Sequence, residues 1–132
     1  MRTATASEPV FESEACLFTD CTIAELCRVL RSLGYHKSAQ SIEEDEPNRR
    51  TDGVQNSTVE ADGKVVHVVW VQKIELENHE VMGTYWHEIF HLALAICEEK
   101  NIDVDASGSN ETPAYIGGYY YAAFLKKLLT GG

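Results

Sequence analysis

The 132-residue sequence predicts an α+β domain, on three observations. The β-branched run Lys64 to Gln72 predicts a buried strand. His79 to Lys100 and Asn110 to Leu129 are apolar-patterned segments far too long for strands, and predict two helices. A shorter segment, Asp20 to Leu33, carries a helix start signal and an amphipathic face. The length suits a single domain with a real core.

Residues 1–13 mix small and polar side chains with Pro9, which predicts a loose N-terminus. Asp20 to Leu33 then predicts a helix. Thr22 and Glu25 form a capping-box pattern, and Ile23, Leu26, Cys27, Leu30 and Leu33 recur at helical spacing up to Gly34, a C-terminal stop. From Ser41 to Gly63 the chain turns polar and acidic and predicts a mobile loop, a plain solvated one or a candidate flap over substrate. Within it Gln55 to Glu60 is a weaker hairpin partner for the 64–72 strand, with Asp62-Gly63 as the turn. His67, inside that strand, reads as a satisfied or surface histidine rather than a ligand.

In the following helix nearly every residue from Trp86 to Cys97 is apolar, except His87, Glu88 and His91. That pattern predicts a helix packed round most of its circumference. Ionisable groups interrupting it must be paired, ligated or exposed in a cleft, because isolated burial is costly. Glu98 to Asn101 returns the chain to solvent. After a loop from Ile102 to Ser109, Asn110 is the expected N-cap of the last helix and Pro113 is tolerated in its first turn. Gly117-Gly118 implies close approach of another backbone, the preceding helix.

Net charge is −10, from 21 acidic against 11 basic residues. This argues against a nucleic-acid partner, since phosphate-backbone affinity needs a basic surface. It leaves a cationic substrate, a basic protein partner or a DNA mimic open beside plain solubility. Cys16, Cys21, Cys27 and Cys97 contain no C-x-x-C pair and read as reduced thiols of a cytoplasmic protein. A Cys16–Cys21 or Cys16–Cys27 disulfide is the alternative. No run of eighteen apolar residues predicts a membrane span, and Met1 to Pro9 shows no apolar secretory core.

His87-Glu88-Ile89-Phe90-His91 carries the chemistry. On a helix His87 and His91 project from one face, one above the other, and can share a tetrahedral Zn²⁺. Glu88 then lies beside the metal's open position, placed to take a proton from metal-bound water. A catalytic zinc normally takes three protein ligands. Glu111, twenty residues beyond His91 and opening the last helix, is the candidate third; Asp103 and Asp105 are its rivals. His79 stands about 12 Å along the axis from His87, too far to share an ion.

This spacing resembles the glutamate-ligated, thermolysin-like zinc metallopeptidases, the gluzincins, over roughly residues 65–118. A closer resemblance is to small phage- or prophage-encoded metallopeptidase-like proteins. These show H-E-x-x-H, a Gly-Ile-x-x-Asp-like loop, then Glu-x-x-Ala-Tyr-x-x-Gly. The chain has His87-Glu88-x-x-His91, then Asn101-Ile102-Asp103-Val104-Asp105, then Glu111-Thr112-Pro113-Ala114-Tyr115-Ile116-Gly117-Gly118. Asn101 stands where a glycine is usual, and the large substrate-binding lobe of thermolysin-like enzymes is absent.

The resemblance implies a minimal zincin-like domain with His87, His91 and Glu111 as zinc ligands and Glu88 as general base. The strand before the metal helix would line the cleft. The implied activity is zinc-dependent hydrolysis of a peptide or protein substrate. Tyr115, one turn beyond Glu111, is a candidate donor to the transition-state oxyanion, or an aromatic packed between the helices. The alternative is a non-catalytic binding or regulatory protein that keeps the scaffold.

Overall fold

The computed structural model describes residues 1–45, 52–104 and 111–131. In chain order the elements are β1 (Arg2–Glu8), β2 (Ser13–Thr19), α1 (Ile23–Ser32), α2 (His36–Asp45), β3 (Gly53–Val59), β4 (Val65–Val71), α3 (His79–Glu99) and α4 (Glu111–Thr130). The strands form a mixed sheet in the order β1-β2-β4-β3. β2 runs parallel to β4, and the two outer pairs, β1–β2 and β3–β4, are antiparallel. The α+β expectation holds.

The N-terminus is not loose. Residues 2–8 form an edge strand paired with β2 from Arg2↔Thr19 to Glu8↔Ser13. Its inward positions are Ala4, Ala6 and Glu8, all buried. Alternating alanines give little hydrophobic contrast, so the period-2 signal is faint in the sequence. Glu8 organises the turn into β2. It accepts from the Phe11 N–H at 3.0 Å, from the Val10 N–H and from Ser13 Oγ.

The predicted 41–63 loop is also corrected. Its first residues finish α2, whose buried face is only Ser38, Ala39 and Ile42. Gly53–Val59 is β3, paired with β4 from Gly53↔Val71 to Val59↔Val65, as the hairpin reading of Gln55 to Glu60 expected. Residues 46–51 of that segment lie outside the described residues, as do Asp105 and the expected N-cap Asn110. Both early helices are held by specific ends. Thr22 and Glu25 form the complete capping box on α1, and the Gly34 and Tyr35 N–H groups close its C-terminus on Arg31 O and Leu30 O. Buried Glu60 accepts from the Lys37 and Ser38 N–H groups and from Ser38 Oγ, filling the donors at the start of α2.

Alternation along the strands divides the core in two. Phe18, Val54, Val66, Val68 and Trp70 pack against Leu26, Leu30 and Ile42 of α1 and α2. Ala4, Ala6, Ala15, Leu17, Val69 and Val71 face the other way, against α3 and α4. The result is three layers, with helices on both faces of the sheet. All four cysteines are free thiols, as the reduced reading expects. No helix among the described residues is long and apolar enough to cross a membrane.

Candidate functional site

α3 starts at an Asn78 N-cap, whose side chain accepts from the Glu80 and Val81 N–H groups at 3.1 and 3.2 Å. It ends in a Schellman closure, with Ile102 N–H on Cys97 O and Asn101 N–H on Glu98 O. Asn101 there adopts φ +56°. That left-handed conformation suits glycine best and asparagine next, so Asn101 substitutes for the usual glycine at little cost.

The helix buries Tyr85, Glu88, Ile89, Leu92, Ala93, Ile96 and Cys97. Trp86 and Phe90 remain 44% and 47% exposed, so α3 is not enclosed on all sides as its apolar run suggested. It lies in an outer layer and packs against the sheet on one side and α4 on another. The uncovered strip carries Trp86, His87, Phe90 and His91.

On that strip the two imidazoles converge through the same atom. His87 Nε2 and His91 Nε2 are 3.1 Å apart, and the rings meet edge to face. Two Zn–N bonds at a tetrahedral angle set their nitrogens about 3.3 Å apart. The pair therefore already has the bite a shared zinc ion would require. Partial withdrawal from solvent, and then the neighbouring His87, push His91 below the ordinary histidine range. This favours the neutral ring, the form that ligates metal.

Glu88, about 100° round the helix from His87, is buried. It lies against the first residue of β3. A Cβ placed on Gly53 would stand 2.9 Å from Glu88 Cγ and 3.1 Å from its Oε2, with Thr84 Cγ2 also at 3.1 Å. Gly53 thus leaves the space that Glu88 occupies. β3, not the 65–71 strand, is the sheet edge beside α3, since β4 is interior.

The structure brings His87 and His91 together and places Glu88 beside them in the helix, but it does not add Glu111. Glu111 is exposed at the first position of α4. The close approach of α4 to α3 is at Gly117, facing Trp86 and Ala93. That is six residues, about 9 Å of helix, further on. Among the described residues no group of three or more His, Cys, Asp or Glu is placed to hold a metal ion. His79 and Asp103 are exposed, at the start of α3 and in the loop after it.

Tyr115 is engaged with β1. Its hydroxyl donates to Glu8 Oε1 at 3.0 Å, while Tyr119 donates to Ser7 O and Ser13 Oγ meets Tyr120 Oη at 2.7 Å. These contacts fasten α4 to β1 and to the first residue of β2. Of the glycine pair, only Gly117 faces α3, at ordinary van der Waals distance; Gly118 faces open space.

Sequence reasoning also missed a polar chain around His67. This buried histidine meets Ser57 Oγ at Nδ1 and Glu99 Oε1 at Nε2, both at 2.6 Å. The one available signal is the Asp62-Gly63 turn, whose hairpin register sets Ser57 opposite His67. Comparison with protein-family models, with curated proteins and with solved structures finds no match for the chain.

Proposed function

We propose that the chain is a zinc-dependent hydrolase, most simply a peptidase, centred on His87, His91 and Glu88. The observation that carries this reading is the 3.1 Å approach of the two Nε2 atoms on an exposed helix face. Zinc held there would supply Lewis acidity, acidifying water and polarising a carbonyl group. His87 and His91 would hold the ion through Nε2, and Glu88 would accept the proton of the attacking water and return it to the leaving amine. The outer edge of β3, unpaired among the described residues and beginning against Glu88, offers backbone donors and acceptors to an extended peptide. Ligation by Glu111 requires the first turn of α4 to move towards His91 when zinc binds.

Exposed Trp86 and Phe90 flanking the histidines support a second reading, a binding or regulatory protein on the same scaffold. Zinc content of purified protein, with a peptide-library cleavage assay of wild type and Glu88→Gln, separates the two. The hydrolase reading expects stoichiometric zinc in both proteins and a loss of about a hundredfold or more in cleavage by the variant. Equal zinc and identical behaviour in every assay would sink it. Loss of zinc in Glu111→Ala supports the third ligand; full retention points to Asp103, Asp105 or water.

A further inference from the structure

A second constellation lies at the far end of the same helix–strand pair. Ser57 is exposed on edge strand β3 and faces the α3 layer, opposite His67 on β4. The His67 side chain is 2% exposed, so its ring nitrogens have almost no access to water and must be satisfied internally. Glu99, in the last turn of α3, places Oε1 2.6 Å from His67 Nε2, and its Oε2 lies 3.7 Å from Lys100 Nζ.

A carboxylate only accepts hydrogen bonds, so in the neutral imidazole Nε2 carries the hydrogen and Nδ1 is left as the acceptor. Ser57 Oγ, 2.6 Å from Nδ1, is then the donor. Gln55 Nε2 in turn donates to Ser57 Oγ at 2.6 Å. The chain has one direction, Gln55 to Ser57 to His67 to Glu99. Its only exposed oxygen between the ends is the serine hydroxyl.

We propose that Ser57, His67 and Glu99 form a serine-nucleophile site for carboxylic esters, separate from the histidine pair. The order nucleophile, base, orienting acid is that of a hydrolytic triad, with the two ring nitrogens exchanged. Ser57 Oγ attacks the ester carbonyl carbon, its proton passes to His67 Nδ1, and the carbonyl electron pair moves to oxygen. Gln55 Nε2 is the nearby donor to that oxyanion. Re-formation of the carbonyl breaks the bond to the alkoxide, which leaves as alcohol with the proton from His67. Water then repeats the steps on the acyl-serine, releasing the acid and restoring Ser57. Glu99 holds the ring and stabilises it when charged. Gly53 and Ser57 are four residues apart, roughly 13 Å along the strand, so the site needs nothing from Glu88.

The test uses a fluorophosphonate probe, with the modified residue located by mass spectrometry, beside p-nitrophenyl acetate hydrolysis. The full chain is assayed with and without a chelator, together with Ser57→Ala, Glu99→Gln and Glu88→Gln. The expected result is an adduct on Ser57 that persists with chelator and in Glu88→Gln. It is absent in Ser57→Ala and forms about a hundredfold more slowly in Glu99→Gln. Glu99→Gln keeps a carbonyl acceptor for Nε2, so it is the informative variant if His67 substitutions do not fold. No adduct on Ser57, an unchanged rate in Glu99→Gln, or labelling abolished by the chelator would each overturn the proposal. The chelator and Glu88→Gln arms keep its failure distinct from failure of the zinc reading.

Discussion

Gly53 and Glu88 occupy one space: the hydrogen where a Gly53 side chain would begin faces Glu88 Cγ, and a Cβ there would stand 2.9 Å from it. The contact joins the first residue of the edge strand to the middle of the HExxH helix. A backbone position with no chemistry of its own thereby sets where the carboxylate lies.

Gly53→Ala is expected to displace Glu88, because the clash falls on Cγ rather than on the mobile end of the side chain. Overpacking of this kind costs about 1–3 kcal/mol. In a zinc-loaded hydrolase the variant should retain metal, held by His87 and His91, and lose hydrolysis. Denaturant unfolding, zinc content and activity measured on one preparation check this; full activity with unchanged stability would refute it.

Glu60 predicts a pH dependence. Burial alone raises its pKa, but the bonds it accepts from Ser38 Oγ and the Lys37 and Ser38 N–H groups outweigh that and hold it below the ordinary 4.5. A depressed carboxylate contributes stability that is fully present above its unfolded value and is lost as pH falls through the lower folded value. Wild type should therefore lose stability as pH drops below about 4.5. Glu60→Gln should be less stable at neutral pH and show a shallower loss in that window. Parallel slopes for the two proteins in a pH series of urea titrations would contradict the assignment.

The two adjacent glycines of α4 should respond to alanine in one direction. Gly118 faces open space, and a Cβ on Gly117 would meet Trp86 at 3.5 Å and Ala93 at 3.6 Å, ordinary contacts. Gly118→Ala is expected to stabilise by about 0.5–1 kcal/mol through helix propensity. Gly117→Ala should be neutral or mildly stabilising. Destabilisation of Gly117→Ala beyond about 1 kcal/mol would show that α3 and α4 approach more closely than these distances.

Cys16 should be an unreactive thiol. Burial, and then the nearby Glu14 carboxylate, push it up to about 12, so little thiolate forms at neutral pH. Iodoacetamide at pH 8 should modify Cys16 in the native protein far more slowly than in urea. Non-reducing mass analysis should find no disulfide. Rapid native alkylation of Cys16, which is half-buried, would count against this assignment.

Legibility followed how local each signal is. The Thr22/Glu25 box, the His87–His91 spacing and the β-branched run at 64–72 involve neighbours within a turn or along one strand, and each appears in the structure as the residues suggest. β1 and α2 were missed because alanine and serine line their inner faces and supply too little contrast. Glu98 to Asn101 reads as a return to solvent, yet Glu99 turns inward to His67.

By itself, the sequence determined three of the four described helices, that one strand is buried, and that His87 and His91 share a helix face. Those outcomes depend on propensity, caps and periodicity, which act over a few residues. Tertiary structure decided the rest: the three-layer order, the seating of Glu88 behind Gly53, the exposed position of Glu111 at the start of α4, and the meeting of Ser57, His67 and Glu99. Contacts between residues far apart in sequence depend on strand register and helix docking. These are settled by the summed burial of both halves of the core rather than by any local motif.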